Sequence, residues 1–185
     1  FQFVLPLTAH DPDGDPIYFE ARNLPQGSLF DGKTGVFSWT PNFEQSGIYS
    51  GTILTVIEKT GSRLSDSDSV TFTVKHVNRL PELQDIANRE IPEDSSLIIQ
   101  VPEGSDPDKE DAGKLKYRVE NIPEGVVFDS LKRVFSWKPT FDQSGIYIVD
   151  FVLDDRAGGI DREAVTLTVT HVDRPPKIDV LADAI

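Results

Sequence analysis

The feature that most constrains this chain is that it is spelled twice. Phe37-Ser38-Trp39-Thr40-Pro41 returns as Phe135-Ser136-Trp137-Lys138-Pro139, and Gln45-Ser46-Gly47-Ile48-Tyr49 returns as Gln143-Ser144-Gly145-Ile146-Tyr147, both 98 residues on. Leu24-Pro25-Gln26-Gly27 and Ile122-Pro123-Glu124-Gly125 keep the same spacing. Outside that block the spacing is 95: Asp11 answers to Asp106, and His76-Val77-Asn78-Arg79-Leu80-Pro81 to His171-Val172-Asp173-Arg174-Pro175-Pro176. Three residues are therefore inserted after the second acidic turn and three lost before the second linker, where length changes read as loops. A repeat of this length is a domain rather than a short solenoid unit. The expected organisation is residues 1–79, residues 80–174, and the start of a third copy in residues 175–185. Residues 82–95 have no counterpart before Phe1, while residues 177–185 begin to resemble them. The expectation is a longer array, with a first unit that lacks or borrows an edge strand.

Each copy reads as short β segments. Val165, Leu167 and Val169 alternate with Thr166, Thr168 and Thr170, and Val70, Phe72 and Val74 with Thr71, Thr73 and Lys75. That is the period-2 pattern of a strand with one buried face. Residues 48–57 and 147–153 are longer β-branched and aromatic runs, and 115–119, 126–128 and 134–137 are shorter ones. Turn residues separate them, as in Pro25-Gln26-Gly27 and Arg156-Ala157-Gly158-Gly159, and no stretch carries a helical period of useful length. About seven short strands per copy predict an all-β chain of two tandem antiparallel β-sandwiches.

Composition narrows the function. At 38% hydrophobic residues the chain can fill packed cores. Its 31 acidic against 18 basic residues, a formal charge of −13 with no basic cluster, disfavour nucleic acid and anionic lipid as partners. Without cysteine, the fold must stand without disulfides or thiolate-bound metal. No run approaches the roughly 18 to 20 apolar residues of a spanning helix, and no charged-then-apolar leader opens the sequence. The absence of any Met reads as a segment of something longer. Three His and no Ser/His/Asp or Cys/His arrangement leave catalysis little to work with, so no enzyme is expected.

The acidic turns carry the chemistry. Asp11-Pro12-Asp13-Gly14-Asp15 and Asp106-Pro107-Asp108-Lys109-Glu110-Asp111 hold several carboxylates on tight turns, where they repel one another unless a cation sits among them. Ca²⁺ wants six to eight oxygens, and Asp11, Asp13 and Asp15 at i, i+2 and i+4 can aim three side chains at one point. The competing reading is a loop chosen for turn geometry alone. An EF-hand does not fit: Gly14 falls at the fourth loop position instead of the sixth, and Arg22 stands where a bidentate Glu is needed.

The order Ala9-x-Asp11-Pro12-Asp13-Gly14-Asp15, Leu24-Pro25-x-Gly27, Phe30-Asp31, Thr34-Gly35-x-Phe37-Ser38-Trp39-x-Pro41, Gln45-Ser46-Gly47-x-Tyr49 and His76-Val77-Asn78-Arg79-x-Pro81 resembles the dystroglycan-type cadherin-like, or immunoglobulin-like, repeats of bacterial surface proteins. The resemblance covers both copies. It implies immunoglobulin/cadherin-like sandwiches, exposure at the cell surface or secretion, and tandem domains with calcium at their junctions. By similarity to cadherin junctions, one ligand set comprises Asn78, Asp106, Asp108 and Glu44. Glu93, Asp142 and Asp173 would serve the following junction, and Asp11, Asp13 and Asp15 a preceding one. His76 and Arg79 occupy places where the cadherin pattern has carboxylates, which implies weaker binding or fewer ions. Asp161-Arg162-Glu163 matches a cadherin ligand triplet but lies just before the last strand, so the match is chance.

Trp39 and Trp137 could be sugar-stacking platforms, but identical places between Phe-Ser and Pro suit core plugs better. His76 and His171 share the parity of the buried positions in their strands and are expected as hydrogen-bonded end residues; His10 is expected in a solvated turn. The leading expectation is a calcium-stiffened stalk or adhesion module whose partners are other repeats of the same chain, a cell-surface protein or a polysaccharide. The second is a carbohydrate-binding accessory module of a secreted enzyme or adhesin.

Overall fold

A computed structural model of the chain describes residues 1–111 and 113–178. It divides into two compact units, Phe1–Val77 and Asn78–Ile185. Of the expected third copy, residues 179–185 lie outside the described residues.

Unit 1 contains β1 (Phe3–Pro6), β2 (Ile17–Arg22), β3 (Leu29–Asp31), β4 (Val36–Trp39), β5 (Gly47–Glu58) and β6 (Ser65–Val74). They form two three-stranded sheets, β1-β4-β3 and β2-β5-β6. Unit 2 contains β7 (Arg89–Pro92), β8 (Leu97–Gln100), β9 (Lys116–Glu120), β10 (Val127–Asp129), β11 (Val134–Trp137), β12 (Gly145–Asp154) and β13 (Ile160–Thr170). Its sheets are β8-β11-β10 and β7-β13-β12-β9. Strand for strand, β8 to β13 repeat β1 to β6, and β7 has no counterpart in unit 1. Both are immunoglobulin/cadherin-like sandwiches, built from the strands that the alternating pattern predicts. Among the described residues no helix is long and apolar enough to cross a membrane.

The repeated motifs converge on one constellation. Trp39 and Trp137 are 3% and 2% exposed, so neither ring offers a sugar platform. Each indole N–H donates to the carbonyl of the preceding turn, Trp39 to Gln26 at 3.2 Å and Trp137 to Glu124 at 3.1 Å. The same carbonyls accept from the Gln45 and Gln143 side-chain amides, whose Oε1 atoms in turn accept from the Asn42 and Thr140 N–H groups. Tyr49 and Tyr147 donate to the Gln45 and Gln143 carbonyls and stand edge-on to the Trp rings at 4.8 and 5.0 Å. Burial of each aromatic ring contributes about 1.5 to 3 kcal/mol, and the hydrogen bonds keep the polar edges satisfied.

The length differences resolve into identifiable features. Of the three residues lost before the second linker, one is a bulge in β5 between Tyr49 and Thr52, where Gly51 adopts φ +82°. The other two shorten the β12–β13 hairpin relative to β5–β6. The three inserted residues accompany a 3-10 turn, Lys109–Asp111, that unit 1 lacks.

The cores close unequally. Among the described residues, unit 2 buries thirteen apolar side chains in one cluster, against three in unit 1: Phe37, Trp39 and Phe72. Two of the thirteen, Leu83 and Ile86, come from the segment leading into β7. The linker histidines share the parity of buried positions without being buried, while His171 is an end residue 3.1 Å from Glu93 Oε2. The last strands end at Val74 and Thr170, so the alternation stops before His76 and His171, and both are exposed. His10 is exposed in its turn, as expected.

Candidate metal centre

The inserted turn decides which acidic cluster is gathered. In unit 2, ligand oxygens of Asp106, Asp108 and Asp111 lie within 4.8 Å of one another. Asp106 Oδ1 accepts the Asp108 N–H at 2.7 Å, which sets the turn. The Asp111 N–H then donates to the Asp108 carbonyl at 3.0 Å, bringing a third carboxylate onto the same side. Asp108 and Asp111 are 1% and 3% exposed. Unit 1 lacks this insertion and has no counterpart of Asp111. There Asp11 Oδ1 accepts the N–H groups of Asp13 and Asp15 at 2.9 and 3.1 Å, while the Asp13 and Asp15 side chains stay exposed. That is the arrangement of a turn stabilised by its first side chain.

Basic groups meet two of the three carboxylates. The Arg79 N–H donates to Asp108 Oδ2 and its Nε to Asp108 Oδ1, both at 2.7 Å, and its Nη2 donates to the Pro107 carbonyl at 2.6 Å. Lys114 Nζ lies 3.1 Å from Asp111 Oδ1. Among the described residues no cationic side chain pairs with Asp106. Asp106 Oδ2 and Asp111 Oδ2 are both buried without a hydrogen-bond donor. Buried acceptor oxygens without a donor are expensive, and their natural partner is a cation that shares them.

Asn78 donates through Nδ2 to Asp155 Oδ2 at 2.7 Å, while its Oδ1 is buried without a partner. Asp155 is fully buried. Burial pushes its carboxyl up, but the Asn78 amide and the N–H groups of Ala157, Gly158 and Gly159 together outweigh it, leaving the pKa below the usual aspartate value. Gly159 N–H reaches both Asp155 oxygens, and a Cβ there would lie 2.1 Å from Asp155 Oδ2, so only glycine fits.

Glu93 is 2% exposed, and its two oxygens accept from the Ser144 and Val172 N–H groups at 3.1 and 2.8 Å. His171 Nδ1 lies 3.1 Å from Oε2. The Val172 hydrogen bond is the largest influence on its pKa; with Ser144 and His171 it outweighs burial and holds the group below the usual glutamate value. Asp142 and Asp173 are almost fully exposed, the first 3.6 Å from the Arg174 guanidinium and the second 3.4 Å from His171 Nε2. Glu44 lies in unit 1, its N–H donating to Asn42 Oδ1. Of the ten residues expected as ligands, the structure thus brings Asp106 and Asp108 together and adds Asp111. The buried Asp155 was not foreseen; an Asp followed four residues later by Gly, in Asp155 to Gly159, is the pattern that could have signalled it.

A family model described as "Putative Ig domain" matches residues 1–75 and 81–170. No curated protein matches the chain. Among solved structures, Drosophila N-cadherin EC1-4 aligns with a TM-score of 0.56 and 17% identity, over 90% of this chain and 44% of that one. Mouse cadherin-23 EC22-24 aligns at 0.49 and 15%, over 84% and 53%. An endo-fucoidan hydrolase from glycoside hydrolase family 107 aligns at 0.42 and 15%, over 94% and 26%. The chain thus spans between about a quarter and about half of these structures' lengths. At such identities the likeness is one of fold, and the N-cadherin alignment carries it.

Proposed function

The chain belongs to the "Putative Ig domain" family through both of its units, and from that premise we propose that it serves as a non-catalytic stalk or adhesion segment of an extracellular bacterial surface protein, with Ca²⁺ held in unit 2. Families of this fold are generally non-catalytic. The observation that carries the calcium reading is the pair of buried, unpartnered oxygens, Asp106 Oδ2 and Asp111 Oδ2, beside Asp108. Two buried carboxylate oxygens without a donor are what a hard divalent cation with oxygen ligands answers. Asp106 and Asp111 would bind it through their unpartnered oxygens, and Asp108 would share its charge between the ion and Arg79. Holding the acidic turn against the linker residue Arg79 in this way stiffens the opening of the unit. Partners are other repeats of the same chain, and a surface protein or polysaccharide. The burial of both tryptophans removes the one sequence feature that spoke for a carbohydrate-binding module.

The test is a calorimetric titration and thermal melt of the chain in Ca²⁺ and in chelator. With ion at about ten times its dissociation constant, binding adds roughly 1.4 kcal/mol to the stability of unit 2. Asp106→Asn and Asp111→Asn should each abolish most of that gain. Identical melts of the unaltered chain with ion and with chelator would sink the calcium reading. Small-angle scattering in the same two conditions tests the stiffening itself.

A further inference from the structure

The two basic side chains at the acidic turn of unit 2 are held very differently. Arg79 is locked: its N–H and Nε reach the two oxygens of Asp108 at 2.7 Å, its Nη2 reaches the Pro107 carbonyl at 2.6 Å, and its side chain is 28% exposed. Lys114 is loose. Its Nζ meets a single carboxylate oxygen, Asp111 Oδ1 at 3.1 Å, and its side chain is 55% exposed. An ammonium on a flexible four-carbon stem, hydrated on its open side, gives up one such contact at little cost.

Asp111 is the opposite case. It is 3% exposed; its Oδ1 carries the Lys114 ammonium, while its Oδ2 is buried without a donor. A ligand oxygen of this carboxylate lies within 4.8 Å of those of Asp106 and Asp108. The backbone ties acid and base together, since the Lys114 N–H donates to the Asp111 carbonyl at 2.9 Å, around Gly113 at φ +79°. Lys114 is thus a cation tethered to the rim of the cluster. Both residues are peculiar to unit 2: Asp111 has no counterpart in unit 1, and 98 residues before Lys114 stands Pro16.

We propose that Lys114 sets the affinity of the unit 2 cluster for a divalent cation: it is a built-in competitor that the ion must share Asp111 with or displace. The inference rests on the calcium reading of that cluster. An ion on Asp111 Oδ2 and an ammonium on Oδ1 draw on the charge of one carboxylate and repel each other across it. Arg79 cannot retreat without giving up its hold on Asp108 and the Pro107 carbonyl. Lys114 can swing into water, so the loss of its contact is charged to every binding event and keeps the affinity below what the carboxylates alone would give.

The test is a calorimetric Ca²⁺ titration of the whole chain, unaltered and as Lys114→Met, Lys114→Arg and Lys132→Met. Lys132 is the control for bulk charge, because it makes the same three-residue pair with Asp129, at 3.5 Å, on the turn between β10 and β11. Lys114→Met should tighten Ca²⁺ binding by about tenfold, Lys132→Met by less than about twofold, and Lys114→Arg hardly at all. Thermal melts should cross over: Lys114→Met melts below the unaltered chain in chelator and gains more from added Ca²⁺. Equal affinity of the unaltered chain and Lys114→Met would overturn this inference and leave the calcium reading standing, as would equal tightening by Lys132→Met. Binding by Lys114→Met alone would support the inference, with the ammonium filling the site, and overturn the calcium reading of the unaltered chain. Binding by none of the four would overturn both.

Discussion

Arg79 grips Asp108 from two directions at once, its backbone N–H on one carboxylate oxygen and its guanidinium Nε on the other, both at 2.7 Å. Asp108 is 1% exposed, so this contact compensates a buried charge. Removing one partner of a buried pair leaves an uncompensated charge. Arg79→Ala should therefore destabilise unit 2 by about 3 kcal/mol in chelator, measured by denaturant unfolding. Added Ca²⁺ should recover part of that loss, because the ion replaces the missing positive charge. Unchanged unfolding of Arg79→Ala in chelator would show that Asp108 does not depend on the arginine.

The Trp-Gln-Tyr constellation should behave as a network in both units. Tyr147→Phe removes the hydroxyl that donates to the Gln143 carbonyl while keeping the ring against Trp137, and should cost about 1 kcal/mol. Gln143→Ala removes both ties between the turns and should cost as much or slightly more. A double-mutant cycle checks the link: the two losses should be less than additive if they act through one turn geometry.

Most of the fold was legible because its signals are local. Val165, Leu167 and Val169 alternate as a strand does, and Gln-Ser-Gly-Ile-Tyr recurs because the same turn, amide clamp and aromatic pair are built twice. The site was less legible because its decisive features break the repeat or span distance. Asp111 comes in an insertion with no twin to compare, and Arg79 meets Asp108 only after 29 residues of chain. Asp11, Asp13 and Asp15 have ideal spacing for an ion, yet their spacing equally suits a turn that uses Asp11 as acceptor. Parity does not bury His76 and His171, because period 2 holds only while the strand lasts; His171 instead meets Glu93 from beyond the end of its strand.

The two units should not unfold together. Unit 1 lacks the packing that Leu83 and Ile86 supply to unit 2, so it should melt first, giving two transitions by calorimetry. Ile86→Ala should lower the upper transition, by about 2 to 4 kcal/mol of stability, and leave the lower one in place. A shift of the lower transition instead would mean that the assignment of transitions to units is reversed.

Acid should attack unit 2 through Glu93. Its folded pKa is held below the usual glutamate value by the Val172 N–H first, with Ser144 and His171 assisting against burial. A depressed carboxylate pKa stabilises the fold fully above the unfolded value, and the contribution fades as pH falls through the folded value. The acid side of the stability profile should therefore steepen below the ordinary glutamate range. Glu93→Gln should lower stability at neutral pH and flatten the acid limb of the upper transition, followed by melts across pH. An acid limb as steep in Glu93→Gln as in the unaltered chain would assign the acid sensitivity to other carboxylates, of which the buried Asp155 is the first to test.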